Sequence, residues 1–366
     1  MFQGIFIDAF ESDKKFAELM STSGRYGLRV KFQKPVELMK LAGNILTSQP
    51  DLVVLDHRLN NGQKRKYAGY QASPLAQQLR ESVLQSVTHD FPIILISSEE
   101  DINAFFDNVT AHNLFDRYFT KSDLVNGSAS NQQILSLVKG YKQLLKHWNK
   151  LERWPKFLAV TRQEKVEVAY QAIRELDKLK APHQVAHAIL RYVIDRRGLL
   201  LDQDNVLAQL GVSKLGKDVD TVFDILDRDK IKYTGVFSEG WQRWWQHRLA
   251  DWGKKLCGKS LGMLESTTER VSCLNQKLGL KLSPAKSRWP KTDGLIWYIC
   301  DSCHQPTEFN YSVIAYEPLP YRFLHPKRIC WKCVETGEYK EHGLETDDGE
   351  ELIVEKIQNG EIRSGT

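Results

Sequence analysis

The sequence lacks several features that would assign it to other classes of protein. No apolar run approaches the length of about 20 residues that crosses a membrane. The first residues lack a basic segment followed by a long apolar stretch, so no secretory signal is predicted. The net charge of +5 is mild and permits an anionic partner without demanding one. We therefore expect a cytoplasmic protein that has no membrane contact.

Cysteine is scarce, and its placement is informative. Of the 6 cysteines, all but two fall in a pair of Cys-x-x-Cys motifs. Cys257 and Cys273 lie outside these motifs, and we expect them to be isolated. Without an export signal, this usage favours reduced thiols and a metal site over a disulfide framework. The chain length of 366 residues suits two or three domains.

Short apolar runs alternate with helical patterns over residues 1–145. The most apolar run, Leu52–Leu55, is typical of a strand that is buried on both faces. Five such runs are predicted as strands; they cover residues 4–7, 28–32, 52–56, 92–96 and 117–120. The intervening helices are predicted at residues 13–20, 35–45, 76–80 and 131–148. This alternation predicts an α/β fold with a doubly wound, five-stranded parallel sheet.

Four polar residues stand at the ends of predicted strands, in the order Asp8, Asp56, Ser97 and Lys121. Chemistry in an open parallel sheet sits outside the carboxyl ends of the strands. With this ordered set, residues 1–145 resemble the receiver domain of bacterial response regulators in two-component signalling. Tyr118 matches the aromatic position that rotates with phosphorylation in that family, and it is predicted to act in the switch.

The resemblance implies a specific chemistry for the strand ends. Asp56 would accept a phosphoryl group from a phosphohistidine on a partner such as a histidine kinase. Mg²⁺ would be bound by Asp8, Asp56 and the backbone carbonyl of Arg58. Lys121 would pair with the phosphoryl group, and the Ser97 hydroxyl would donate a hydrogen bond to it. No other enzymatic activity is predicted for the chain.

The sequence departs from the receiver pattern at a few positions. Receivers carry a second acid directly after the first, but here that position is Ala9, and Glu11 is near enough in sequence to compensate. The residue after Lys121 is Ser122, where the family has proline. These departures leave a second interpretation open, in which the domain is a pseudo-receiver that docks a partner without being phosphorylated.

Residues 146–290 are predicted to form a mainly α-helical output or interaction domain of no recognised family. His183 and His187 have a spacing that can bind zinc on a helix, but no third ligand accompanies them, which favours packing or surface roles. Residues 200–230 resemble a helix-turn-helix, so a DNA-binding transcriptional regulator is an alternative function. The presumed recognition helix, Asp218–Asp224, is acidic, which disfavours DNA binding.

The C-terminal region contains the two Cys-x-x-Cys motifs. We predict a small β zinc ribbon at residues 291–345, in which four thiolates bind one structural Zn²⁺. An acidic, solvated tail is predicted at residues 346–366. The four predicted zinc ligands are Cys300, Cys303, Cys330 and Cys333.

The parts together suggest a two-component signalling protein. Its receiver-like domain would act through the helical domain and the zinc ribbon. A third interpretation is a non-phosphorylated adaptor in a multi-gene system, such as a phage-defence operon.

Overall fold

The computed structural model describes residues 1–24, 26–59, 69–85, 89–98, 113–150, 153–161, 163–164, 177–264, 266–290, 294–318 and 323–363. The chain divides into two compact units. Unit 1 comprises Met1–Arg191 and Thr234–Trp241, and unit 2 comprises Tyr192–Tyr233 and Gln242–Thr366. The division into residues 1–145, 146–290, 291–345 and 346–366 remains a prediction. Within the described ranges, no helix combines the length and the apolar character that a bilayer crossing needs.

A five-stranded parallel sheet forms the centre of unit 1, which confirms the predicted fold class. Its strand order is β2-β1-β3-β4-β5, and each neighbouring pair is parallel. This is the doubly wound order of flavodoxin-like folds. All residues of β3 and β4 are buried, as their apolar sequences require. The strands are β1 (Phe2–Ile7), β2 (Leu28–Gln33), β3 (Leu52–Asp56), β4 (Ile93–Ser97) and β5 (Arg117–Thr120).

Helices connect the strands and extend beyond the sheet. The helix predicted to open at Pro35 begins three residues later, because the Glu37 carboxylate caps it by accepting hydrogen bonds from the Met39 and Lys40 amides. The helices in the described part of unit 1 are α1 (Lys14–Leu19), α2 (Leu38–Ser48), α3 (Ala72–Gln85), α4 (Lys121–Asn126), α5 (Ser128–His147), α6 (Arg153–Leu158) and α7 (Pro182–Ala188). A π-helical segment, Ile189–Ile194, follows α7.

Unit 2 contains the predicted helix pair, α8 (Gln203–Leu210) and α9 (Val219–Arg228). A small antiparallel sheet pairs β6 (Leu200–Leu201) with β7 (Trp244–Trp245). A hydrophobic core in unit 2 joins α8 and α9 to two further helices, α10 (Gln246–Cys257) and α11 (Thr267–Leu278).

The expectation that Cys257 and Cys273 are isolated is wrong, because a disulfide joins them. Cys257 ends α10 and Cys273 lies in α11, and these two helices pack against each other. Their packing brings together two thiols that are 16 residues apart in sequence.

The C-terminal part of unit 2 contains two antiparallel hairpins, as predicted for a small β module. One hairpin pairs β8 (Ile296–Ile299) with β9 (Pro306–Glu308), and the other pairs β10 (Ser312–Ile314) with β11 (Arg328–Cys330). Three short helices follow; they are α12 (Trp331–Thr336), α13 (Glu338–Glu341) and α14 (Glu351–Gln358).

The predicted acidic tail is not uniformly solvated. Helix α14 buries Val354 and Ile357 in the same apolar cluster as Cys300 and Cys330. Ile353 packs against the same cluster, so these three apolar side chains form a stripe that covers part of the cysteine module.

Candidate functional site

The four predicted strand-end residues lie at one edge of the sheet in unit 1. Asp8 directly follows β1, Asp56 is the last residue of β3, and Ser97 is the last residue of β4. Lys121 follows β5 and is the first residue of α4. Because these four strands are neighbours and parallel, their carboxyl ends meet at the same edge. Asp8, Asp56 and Ser97 are buried there.

The Lys121 ammonium lies among three carboxylates. Its Nζ atom is 3.0 Å from Asp56 Oδ2, 4.0 Å from Asp8 Oδ2 and 2.6 Å from Asp13 Oδ2. Burial lowers the pKa of Lys121, but its hydrogen bond to Asp13 and the charges of the other two acids outweigh this effect and raise it. The lysine is therefore held in its charged form beside the candidate phosphoacceptor.

Asp8 is the most deeply buried acid of the cluster. Burial, together with the nearby charge of Asp56, raises the pKa of Asp8 to about 7. Its Oδ1 atom accepts a hydrogen bond of 2.8 Å from the Phe10 amide. Within the described part of the chain, the buried Oδ2 atom has no hydrogen-bond partner.

Asp13 was not predicted as a site residue. The sequence suggested Glu11 as the replacement for the acid missing at Ala9, but the Glu11 side chain is 64% exposed and pairs with Lys34 at 2.6 Å. Asp13 lies in the 3₁₀ turn Glu11–Asp13, and its side chain is 16% exposed. Since this turn returns the chain toward the sheet edge, an acid five positions after Asp8 reaches the cluster.

The carboxylates fit a divalent cation. One oxygen each from Asp8, Asp13 and Asp56 can be chosen so that all lie within 4.8 Å of one another. Oxygen ligands of this kind are those that Mg²⁺ prefers. Arg58, the third predicted ligand, donates its backbone N–H to Asp56 Oδ1 at 2.8 Å. Tyr118, the predicted switch residue, lies on β5 and is 50% exposed.

The four cysteines of the Cys-x-x-Cys motifs also come together. Cys300 and Cys303 follow β8, Cys330 ends β11, and Cys333 lies in α12. Their sulfur atoms all lie within 4.8 Å of one another, with separations of 3.5 Å and 3.9 Å for three of the pairs. A tetrahedral Zn²⁺ with Zn–S bonds of about 2.3 Å needs sulfurs about 3.8 Å apart. The cluster therefore fits a zinc ion.

Hydrogen-bond donors stabilise negative charge on these sulfurs. The Cys330 amide donates to Cys300 Sγ at 3.2 Å, and Arg288 Nη1 donates to Cys333 Sγ at 3.6 Å. Arg288 also pairs with Glu338 at 3.0 Å, which fixes the guanidinium beside the cluster. Such outer contacts orient metal ligands in closed sites.

The two histidines of α7 are buried near the opposite end of β4 and β5 and pack against acids. His183 Nδ1 is 2.8 Å from Asp90 Oδ2, and His187 Nε2 is 3.3 Å from Asp116 Oδ1. Burial lowers the pKa of His187 to about 4. Arg80 pairs with both acids. This environment agrees with a packing role and not with zinc binding.

The first two turns of α9, the presumed recognition helix, expose acidic side chains. Asp220, Thr221 and Asp224 of α9 are exposed, whereas Val222 and Phe223 pack into the core of unit 2. Negative charge on the exposed face opposes approach to a phosphate backbone.

Comparisons with known proteins give remote similarities. No protein-family model matches the chain, and no curated protein matches it. Among solved structures, it is similar to the phosphorylated cyanobacterial phytochrome response regulator RcpA, at 16% identity and a TM-score of 0.23, covering 41% of this chain and 98% of that one. A mutant of RitR matches at 15% identity and a TM-score of 0.31, covering 51% of this chain and 80% of that one.

A third similar structure belongs to a family of streptococcal redox sensors that evolved from two-component response regulators. It matches at 13% identity and a TM-score of 0.28, covering 62% of this chain and 88% of that one. The strand order of unit 1, β2-β1-β3-β4-β5, is that of flavodoxin-like folds. By that order, and by the acids at its carboxyl edge, unit 1 has a receiver-like fold.

Proposed function

We propose that the chain is a response-regulator-like signalling protein that accepts a phosphoryl group on Asp56. The observation that carries the proposal is the Lys121 ammonium, 3.0 Å from the Asp56 carboxylate at the edge where Ser97 also ends its strand. Phosphoryl transfer depends mainly on positioning and on neutralising charge. These residues supply a nucleophile, a fixed cation and a hydroxyl donor.

The proposed transfer starts from a phosphohistidine on a partner kinase or from a small phosphodonor. An Asp56 oxygen attacks the phosphorus, the bond from phosphorus to the donor breaks, and the donor leaves with the electron pair. Lys121 then pairs with a phosphoryl oxygen, and the Ser97 hydroxyl donates a hydrogen bond to another. A bound Mg²⁺ would neutralise charge on the phosphoryl oxygens. Asp8 and Asp56, with the backbone carbonyl of Arg58, would hold that ion.

The proposal is tested by incubating the full chain with Mg²⁺ and acetyl phosphate and measuring its intact mass. The native chain is expected to gain one phosphoryl group, and an Asp56→Asn variant is expected to gain none. Asp51→Asn is the matched control, because Asp51 directly precedes the same strand, at the end opposite to Asp56, and pairs with Lys142. Equal labelling of both variants, or no labelling of the native chain, would leave the pseudo-receiver interpretation.

We also propose that the four-cysteine cluster binds one structural Zn²⁺ and that the module around it belongs to the output. Closed four-cysteine sites are structural, and their metal binding is coupled to folding. Metal analysis should find about one Zn²⁺ per chain, the number that one four-thiolate site holds. Cys300→Ser should lose this zinc, whereas Cys257→Ser, which removes a cysteine outside the cluster, should retain it. Equal zinc content in both variants would refute the assignment.

DNA binding by residues 200–230 is a weaker alternative, because the exposed face of α9 is acidic. A salt-dependent gel shift of duplex DNA would support it. A non-phosphorylated adaptor role would be supported by partner binding that is unchanged in Asp56→Asn.

A further inference from the structure

We infer that Asp13 supplies the third carboxylate of the divalent-cation site in unit 1, and that the cation competes with the Lys121 ammonium for this carboxylate. The inference rests on the proposed function, because it concerns the same sheet edge. Asp13 would take the metal-binding role of the second acid, whose position in this sequence is Ala9.

The position of Asp13 is the first argument. Its carboxylate belongs to the 3₁₀ turn before α1, and it reaches the group formed by Asp8 and Asp56. Glu11, in the same turn, lies outside this group and pairs with Lys34. The turn therefore directs one of its two acids into the site and the other toward solvent.

An unsatisfied buried oxygen is the second argument. The Asp8 side chain is 0% exposed, and its Oδ2 atom has no hydrogen-bond partner among the described residues. The nearest ammonium, on Lys121, is 4.0 Å away. A buried carboxylate oxygen is costly unless a donor or a metal ion meets it. A cation bound between Asp8 and Asp13 would satisfy this atom.

Charge balance is the third argument. When the three carboxyls are ionised, the single ammonium of Lys121 offsets only one of their charges, and a divalent cation would offset the other two. Lys121 contacts Asp13 more closely than Asp56, at 2.6 Å against 3.0 Å. A cation that takes the Asp13 oxygen therefore releases Lys121 from its closest partner. The released ammonium would be available to a phosphoryl group on Asp56.

The inference is tested by measuring Mn²⁺ binding to the full, zinc-loaded chain by electron paramagnetic resonance of the free ion, without a phosphodonor. Mn²⁺ takes the same oxygen ligands as Mg²⁺. Asp13→Asn should weaken binding by about tenfold or more, since loss of even an outer-shell partner costs metal sites that much. Glu11→Gln is the matched control and should bind as the native chain does. Lys121→Met should bind Mn²⁺ more tightly, because the competing cation is gone.

Equal affinities of the Asp13→Asn and Glu11→Gln variants would overturn the assignment of Asp13. Unchanged or weaker binding by Lys121→Met would overturn the competition. Hydrogen exchange of the β1 and β3 amides verifies that each variant retains the sheet. Metal binding as predicted, with no phosphoryl group on Asp56, would refute the proposed function alone. Phosphorylation of the native chain together with normal Mn²⁺ binding by Asp13→Asn would refute this inference alone.

Discussion

Arg80 offers a stringent test of how unit 1 is held together. Its side chain is 5% exposed, and its guanidinium lies between two acids that are completely buried. It is 3.2 Å from Asp90 and 2.6 Å from Asp116, and it donates a further hydrogen bond of 2.8 Å to the Phe91 carbonyl. An Arg80→Met variant keeps most of the side-chain volume but removes every one of these donors.

The expected loss is large because the acids stay behind. Removing one partner of a buried ion pair costs about 3–5 kcal/mol, since the remaining charge has no compensation. At about 1.4 kcal/mol per tenfold change, the open fraction of unit 1 rises by roughly two to three and a half orders of magnitude. Hydrogen-exchange mass spectrometry of β3 and β4 peptides measures this change in unit 1 by itself.

The pH dependence of the free energy of unfolding supplies a second readout. Burial raises the pKa of Asp116, but the charges of Arg80 and His187 outweigh it and hold the pKa well below its usual range. Such a carboxyl stabilises the fold above its unfolded pKa of about 3.9, and this stability is lost as the pH falls through the folded value. Without the guanidinium, burial raises the pKa of Asp116, so protonation then favours the folded state. The difference in free energy of unfolding between the native chain and Arg80→Met should therefore become smaller as the pH falls from about 7 to about 5.

Arg29→Met is the matched control, because Arg29 is an exposed arginine on β2 of the same sheet. In the Arg29→Met variant, the opening free energy measured by hydrogen exchange should change by no more than about 0.5 kcal/mol, as for most surface substitutions. Equal losses of protection in the two variants, or a stability difference for Arg80→Met that becomes larger at lower pH, would contradict a stabilising role for the buried Arg80 ion pairs.

Three further predictions concern packing, the disulfide and the metal. Gly140→Ala should lower the urea midpoint of unit 1, because the added Cβ would collide with Phe237. Gly43→Ala has open space around its new Cβ in α2 and should raise the free energy of unfolding by about 0.5–1 kcal/mol. A Gly140→Ala variant that is more stable than Gly43→Ala would contradict this packing. Reduction of the Cys257–Cys273 disulfide should destabilise unit 2 by about 3 kcal/mol, which is the value for a closed loop of about 15 residues. The stability of a Cys273→Ser variant should not change when reductant is added. Chelation of zinc should increase hydrogen exchange in β8 and β11 and leave β3 unchanged, and equal protection with and without chelator would contradict a structural metal.

The sheet of unit 1 was predictable because each strand carries a local signal. Leu52–Asp56 is a short apolar run with an acid at its end, and it forms β3 as predicted. The polar residues that follow such runs then meet at one edge as a consequence of parallel topology. The positions of Asp8, Asp56 and Lys121 therefore followed from sequence patterns alone.

Other features depend on contacts that sequence patterns do not contain. Asp13 joins the site through the path of a 3₁₀ turn, and neither its type nor its spacing from Asp8 indicates this. His183 is hydrogen-bonded to Asp90, which is 93 residues away in sequence, so the spacing of the two α7 histidines could not reveal its partner. The disulfide of Cys257 likewise depends on the packing of two helices.

The proposed function requires that Asp56 itself receives the phosphoryl group. To locate the modified residue, the chain is treated with Mg²⁺ and acetyl phosphate, the product is reduced with borohydride, and its peptides are sequenced by mass spectrometry. Borohydride converts an aspartyl phosphate to homoserine, so we expect homoserine at position 56 and aspartate at positions 8 and 13. Unmodified aspartate at position 56, or conversion at another acid, would contradict the proposed function.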